Sequence, residues 1–268
     1  MVAAWLVACF RHLERRPDRL AWAYGAALDA MNVDRTLPLA RAGLAIAADV
    51  DRGIGAGIVG GYHAPQHFVE VVLSALYLAG REKLAGDAAL EILTAAVTHD
   101  FHYDGIRDPK RPSRLEVRAA RKAMSYLRAA GVDGTAQRRL QTLVLSTEPT
   151  AGVPFARACH AFHHVDGPRP TSAAPLPELA PLLDDPALAL AAALLVEADV
   201  LPSVGLTIEH GNRVQALLSV EWQRPLGARD KLHYIDDIFG DFVVARFFSP
   251  NLKALREDCL RRLQAGHG

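Results

Sequence analysis

The sequence predicts an all-α fold, a multi-helix bundle around one core, and three observations carry that reading. Apolar residues recur at helical spacing through nearly every segment; no run alternates apolar and polar residues as a half-buried strand does; and Gly and Pro punctuate the periodic stretches. With 268 residues and no internal repeat, the chain is long enough to bury a large core as one domain. The reading is a single unit over 1–268, with N-terminal helices in 1–60, a core carrying the candidate site in 61–248 and a C-terminal helix in 250–265.

In chain order, residues 2 to 16 and 19 to 31 carry Ala, Leu, Trp and Tyr at helical spacing, and Asp34 with Thr36 marks the start of a third helix through about Val50. Asp51 to Gly61 contains five glycines and breaks the pattern. It runs into Tyr62-His63-Ala64-Pro65-Gln66-His67, after which Phe68 to Ala79 and Gly86 to His99 are strongly apolar helices. Asp104 to Ser113, rich in Asp, Pro and Arg, is a loop leading to a polar amphipathic helix from Arg114 to Ala130. Gly131 and Gly134 precede a helix that ends near Thr147, and Pro149 closes it. Gly167 to Pro181 reads as an exposed loop. Helices then follow at Pro186 to Val200, Ile208 to Trp222, Lys231 to Phe248 and Asn251 to Gln264.

Thirty basic and thirty acidic residues give a formal net charge of zero, which argues against a nucleic-acid polymer or an anionic membrane as partner and favours a small molecule. Cys9, Cys159 and Cys259 are odd in number and widely spread, against a disulfide framework and in keeping with a reducing cytoplasm. Met1 to Phe10 is apolar but lacks a preceding positive region and a clear cleavage site, so it is read as a helix packed on the body. Such a helix also offers a contact for a homodimer. No run approaches the length of a membrane span.

The residues that carry chemistry lie at the edges of the apolar helices. In Thr98-His99-Asp100-Phe101-His102-Tyr103-Asp104-Gly105, imidazole and carboxylate stand side by side, a pair suited to a divalent metal. His63 and His67 lie four apart, so both rings share a face wherever the chain is helical, although Pro65 suits an opening turn and places His63 just before it. Asp199 falls at the end of an apolar helix, where an unpartnered charge is costly and a cation is a natural companion. Taken singly, each has an ordinary reading: a core His held by a hydrogen bond, or an Asp that caps a helix. Cys159, His160, His163 and His164 cluster too, but their spacing matches no common structural zinc pattern.

On these residues the sequence resembles a known family. Tyr62-His63-Ala64-Pro65-Gln66-His67-Phe68-Val69-Glu70-Val71 resembles the Tyr-His-Asn-x-x-His-Ala-x-Asp-Val motif of the class I cyclic-nucleotide phosphodiesterases, which are HD-domain metallohydrolases. His99 to Gly105 is similar to their His-Asp-x-x-His-x-Gly, Ser113-Arg114-Leu115-Glu116 to Ser-x-Leu-Glu, and Leu145-Ser146-Thr147-Glu148 to Leu-Ala-Thr-Asp. Glu197-Ala198-Asp199-Val200 is similar to Cys-Ala-Asp-Leu, and Tyr234-Ile235-Asp236 to Phe-Ile-Asp. The matches occur in family order over about 60 to 245.

The resemblance implies that His67, His99, Asp100 and Asp199 hold a first divalent metal ion (Zn, Mn, Fe or Mg), with Asp100 bridging to a second. It implies His63 as general acid, Glu116 as the residue ordering water around the second ion, and Glu221 as the carboxylate that holds His63. Two cations sharing a carboxylate lower the pKa of a bridging water and neutralise phosphoryl oxygens, and an imidazole then protonates the departing oxygen. Tyr62, His102, Lys231 and Tyr234 are the substrate-binding candidates.

The chain also departs from the pattern. Tyr103 stands where the family has its second His, with His102 one position early, and Val117, Arg118 and Ala119 replace an Asn-His-His, which alters the surroundings of the second ion. Lys231 stands at the purine-reading Gln, three residues before Tyr234 in the aromatic clamp. A Lys offers only donors and a charge. It is read either as a contact for a phosphate or carboxylate or as a solvated surface residue. The leading functional reading is a phosphodiesterase acting on a cyclic nucleotide or related small phosphoester. A phosphomonoesterase or nucleotidase, and a non-catalytic metal-binding sensor, are the alternatives.

Overall fold

The computed structural model describes residues 1–106, 108–171 and 173–266, and among these it contains helices and no strand. The order is α1 (Val2–Leu13), α2 (Arg19–Ala30), α3 (Pro38–Asp51), α4 (Pro65–Arg81), α5 (Gly86–Thr98), α6 (Arg114–Ala129), α7 (Gly134–Leu145) and α8 (Gly152–His164). Then come α9 (Pro186–Val204), α10 (Ile208–Glu221), α11 (Ala228–His233) and α12 (Ser249–Gln264). Three helix starts are capped by side chains: Asp133 accepts from Thr135 N and Ala136 N, Asp185 from Leu188 N, and Thr207 from His210 N.

Three helices, α4, α5 and α9, pack on one another at the centre. α2 and α3 cover α4 and α5 on one side, α8 lies along α9, and α10 closes one end. The central three are apolar all round because all their faces are covered: Phe68, Val69, Val71, Val72, Ile92, Leu93, Leu194 and Leu195 are each fully buried. Among the paired polar groups inside, the buried Tyr24 hydroxyl meets Thr94 Oγ1 at 2.8 Å.

The structure departs from the sequence reading in three places. First, α9 does not stop at Val200 but continues through Pro202 to Val204. Its 19 residues are thus long and apolar enough to cross a bilayer by length and composition, but most are buried between neighbouring helices. Asp199 accordingly lies inside a helix rather than at its end. Second, the span Lys231–Phe248 is not one helix. α11 passes into a π turn at Tyr234–Phe239, the chain breaks at Gly240 with φ +81°, and a 3-10 turn at Arg246–Phe248 leads into α12. Third, Pro177–Leu183 within and beyond the expected loop forms a 3-10 helix. The Cys159 and His160 cluster, whose spacing fits no structural zinc pattern, sits on α8, where His163 Nε2 and His164 Nε2 bond the carbonyls of Leu182 and Pro186. These imidazoles tie α8 to the start of α9.

The break after Tyr234 is organised by one buried carboxylate. Glu197, fully buried on α9, accepts backbone N–H bonds from Val243, Val244 and Ala245. Arg157 stands 3.6 Å away, bonds the carbonyls of Phe239 and Asp241, and lies over the Phe239 ring at 4.5 Å. Desolvation pushes the Glu197 carboxyl up against the pull of these donors. Removing it would leave three N–H groups without their acceptor and Arg157 without its neighbouring carboxylate. Glu197→Ala should therefore cost about 3–5 kcal/mol of stability, and Glu197→Gln, which keeps one acceptor oxygen, distinctly less. Urea denaturation midpoints of the two variants against the parent measure this.

Candidate metal centre

The glycine-rich break between α3 and α4 folds back to hold His63. Gly57 adopts φ +77°, and a Cβ there would lie 1.8 Å from the His63 carbonyl oxygen. Ile58 N can therefore reach that carbonyl at 2.7 Å. Gly61 lies so close to Glu221 that a Cβ would meet Oε2 at 2.7 Å. Glu221, at the end of α10, grips His63 twice: Oε2 accepts from the backbone N at 2.9 Å and Oε1 pairs with ring Nδ1 at 2.6 Å. His63 thus precedes α4, and His67 lies in the first turn of the helix that Pro65 opens.

The other ligand candidates arrive from α5 and α9. His99 caps the end of α5, and its Nδ1 lies 2.9 Å from Ala96 O. A carbonyl only accepts, so Nδ1 carries a proton and Nε2 is the ring atom turned to the cluster. It faces His67 Nε2 at 3.1 Å. Asp100 Oδ2 lies 3.2 Å from both imidazole Nε2 atoms, and Asp199 Oδ1 lies 3.2 Å from His67 Nε2 and 3.6 Å from His99 Nε2. His67 and His99 are buried, whereas the carboxylates are partly open, Asp199 to 25%.

Two triads, His67 with His99 and Asp199, and His67 with His63 and Asp100, each bring ligand atoms within 4.8 Å of one another, and they share His67, so the cluster could hold a cation. The electrostatics agree. Burial by itself would push both imidazoles down, yet the two carboxylates outweigh it, raising His67 to about 9 and His99 well above its usual value. The same imidazoles hold Asp100 and Asp199 below the ordinary carboxylate range against burial. The cluster is built around positive charge.

Glu116, in the first turn of α6, is 8% exposed, and its Oε2 has no hydrogen-bond partner. Burial, with smaller contributions from Asp100, Glu148 and Asp199, raises its carboxyl to about 8. It shares a cavity of about 290 Å³ with His63, Asp100, Tyr103, Thr147 and Asp199. Glu148 borders the same cavity, but its carboxylate accepts from Thr150, Ala151 and Gly152 at the start of α8.

A second cavity, of about 170 Å³, opens on the other side of His63 and Asp199 and is walled by Leu218, Trp222, Leu226 and Tyr234. Tyr62 borders it; its buried ring lies 4.4 Å from that of His67, and its hydroxyl has no partner. Lys231 belongs to the same wall but is not a solvated surface residue. It is 6% exposed, and its Nζ donates to Ser203 O and Gly211 O at 3.3 and 2.9 Å, while desolvation lowers its pKa to about 8. His102 is not brought to the cluster: at φ +65° its N–H reaches Gly55 O, its ring packs on Phe101, and it borders neither cavity. The irregular turn that would carry it into the place of the family's second His is absent, because the backbone is pinned to Gly55.

Sequence reasoning missed two contributors. Gln215 on α10 borders the smaller cavity with its Nε2 tied to Leu226 O and Gly227 O, leaving a buried Oε1 without a partner. Nothing in its sequence context marks it. Tyr103 stacks on His63 with ring centroids 4.0 Å apart and planes at 22°. Its position in the family's motif was the signal.

The close approach at Gly57 predicts a local cost. Gly57→Ala should lower stability by about 1–3 kcal/mol. Gly53→Ala, also at positive φ but with no atom within 4 Å of the added Cβ, should cost only the left-handed penalty of roughly 1 kcal/mol. Thermal unfolding of the pair isolates the contact with His63.

No family model matches the chain, and no curated protein matches it in sequence. Solved structures match over nearly its whole length. LmjPDEB1 in complex with IBMX aligns with a TM-score of 0.69 at 16% identity, covering 96% of this chain and 91% of that one. The phosphodiesterase domain of the RhoPDE fusion protein from the choanoflagellate Salpingoeca rosetta aligns at 0.62 and 16% identity, covering 98% and 91%. A further structure of the Salpingoeca rosetta rhodopsin phosphodiesterase domain aligns at 0.60 and 16%, covering 99% and 90%. This chain therefore has the all-helical fold of these phosphodiesterase domains, as its motifs predicted.

Proposed function

We propose that this protein is a metal-dependent phosphodiesterase acting on a cyclic nucleotide or a related small phosphoester. The observation that carries the reading is the convergence of His67 Nε2, His99 Nε2, Asp100 Oδ2 and Asp199 Oδ1 within 3.1 to 3.6 Å of one another along the measured pairs, beside an imidazole already held by a carboxylate. Those four residues are the ligands for a first divalent ion. Asp100, with Glu116 nearby, is the natural support for a second. Bound divalent ions supply charge neutralisation at the phosphoryl oxygens and an acidified water.

The chain's own residues supply proton transfer and orientation. Glu221 fixes the ring of His63 through Nδ1, leaving Nε2 on the side of Asp100, 3.8 Å from Oδ2. A phosphoester bound over the cluster would bring its leaving oxygen within reach of that nitrogen. As a water oxygen bonds to phosphorus, the ester P–O bond breaks, its electron pair stays on the leaving oxygen, and His63 Nε2 delivers the proton that oxygen needs. The attacking water leaves its OH on phosphorus, and the one proton it gives up replaces the proton that His63 delivered, so the residue ends the turnover as it began. The apolar and aromatic walls of the smaller cavity suit a ring of the substrate. An acid oriented in this way favours turnover over a binding-only sensor, which has no use for one.

Two measurements test the reading. Purified protein should contain stoichiometric Zn, Mn, Fe or Mg by elemental analysis, and Asp100→Ala should lose it; full metal content in that variant overturns the ligand assignment. His63→Ala should keep its metal and lose about 10²-fold or more in kcat, assayed on bis-p-nitrophenyl phosphate, p-nitrophenyl phosphate, cyclic AMP and cyclic GMP. Cleavage of the monoester alone would move the assignment to a phosphomonoesterase.

A further inference from the structure

Tyr103 stands where the related motif has a His, and the structure gives it a different task. The residue is 8% exposed, and its ring lies flat on the imidazole of His63, 4.0 Å between centroids. Its hydroxyl bonds the carboxylate of Glu221, the group that also holds His63 Nδ1 and backbone N. Tyr103 N donates to Asp100 O at 2.9 Å, so one tight turn delivers both Asp100 and the ring that covers His63. On another side, Tyr62 meets His63 edge-on at 5.1 Å.

A single ring hydrogen bond does not fix an imidazole. The outer torsion of a His side chain is broad and roughly two-fold, so the ring can swing about the Nδ1 contact and move Nε2. A parallel ring against one face blocks that swing, and a hydroxyl on the far carboxylate keeps the anchor from turning with it. We propose that Tyr103 is a positioning residue for His63: it locks the imidazole plane and the Glu221 carboxylate so that Nε2 is aimed at the leaving oxygen. The inference rests on the reading of His63 as the acid. Through the turn at Asp100, it also places the aim of the acid and a metal ligand under one piece of backbone.

The two functions of the side chain separate by substitution. Tyr103→Phe keeps the stacked ring and loses the hydroxyl; Tyr103→Leu loses both. Proton delivery matters most when the leaving oxygen is an alkoxide, as in 3',5'-cyclic AMP, and least for p-nitrophenolate, which departs as a stable anion. Tyr103→Leu is therefore expected to lower kcat on cyclic AMP by about 10²-fold with little change in KM, while bis-p-nitrophenyl phosphate cleavage falls by no more than roughly three-fold. Tyr103→Phe should recover most of the loss. Equal losses on both substrates, or no loss on either, overturn the proposal.

A readout without turnover runs alongside. The short Nδ1–H bond to Glu221 should give a slowly exchanging, far-downfield imidazole proton in the NMR spectrum, assigned by its absence in His63→Ala. It should persist in Tyr103→Phe and broaden away in Tyr103→Leu. If the parent protein cuts neither substrate, the phosphoester reading falls, and this signal still decides Tyr103: its survival in Tyr103→Leu overturns the positioning role.

Discussion

Two imidazoles and two carboxylates, brought face to face at 3.1 to 3.6 Å within a helical core, set the terms for much of this structure. Such a group is stable only around positive charge, whether protons or a metal ion, because burial penalises each ionised partner and only mutual attraction offsets it. The apolar shell keeps the attraction strong by excluding water, so the surrounding helices are part of the electrostatics. α4, α5 and α9 pack on one another at the centre and each contributes from its end or its middle. A shift of any one would move a ligand atom by more than such a cluster tolerates.

Around this group lies a layer that carries no ligand but fixes direction. Gly57 and Gly61 let the loop before α4 come close enough for Glu221 to hold His63 by both backbone and ring. Tyr103 then closes the face of the imidazole. The two cavities share His63, Pro149 and Asp199 in their walls, so the same imidazole and the same carboxylate residue border both. Orientation of this kind is cheap on a rigid helix and costly on a loop, and here the loop is anchored at Gly57, at Gly61 and through Gly55 to the segment after α5.

The smaller cavity departs most from what the motifs implied. Lys231 occupies the register position of a base-reading amide, but its amine is spent on two carbonyls, whereas Gln215, sixteen positions earlier on another helix, holds an acceptor oxygen that is buried and unbonded. A lysine buried against carbonyls stiffens the wall rather than greeting a ligand. The same division of labour recurs at Glu197, where a carboxylate two residues from Asp199 serves only to gather the backbone that follows the π turn.

Helix identity and order were legible from periodicity, because a helix that must bury one face or all faces writes that need into spacing and composition. The residues of the cluster were legible as candidates as well: His67, His99, Asp100 and Asp199 stood at the margins of apolar segments, and the break before α4 was visible as five glycines between Asp51 and Gly61. What spacing could not supply was direction. Whether His102 or Tyr103 turned toward His63 depended on a positive φ at His102 and a hydrogen bond to Gly55, an interaction between segments far apart in the chain. The extension of α9 through Pro202, the break of the Lys231–Phe248 span and the burial of Lys231 were likewise decided by contacts between distant segments. Local sequence sets which conformations a segment favours, and only packing decides which polar atoms find partners; the first determined the helices and the candidate ligands of this protein, and the second determined how His63 is held.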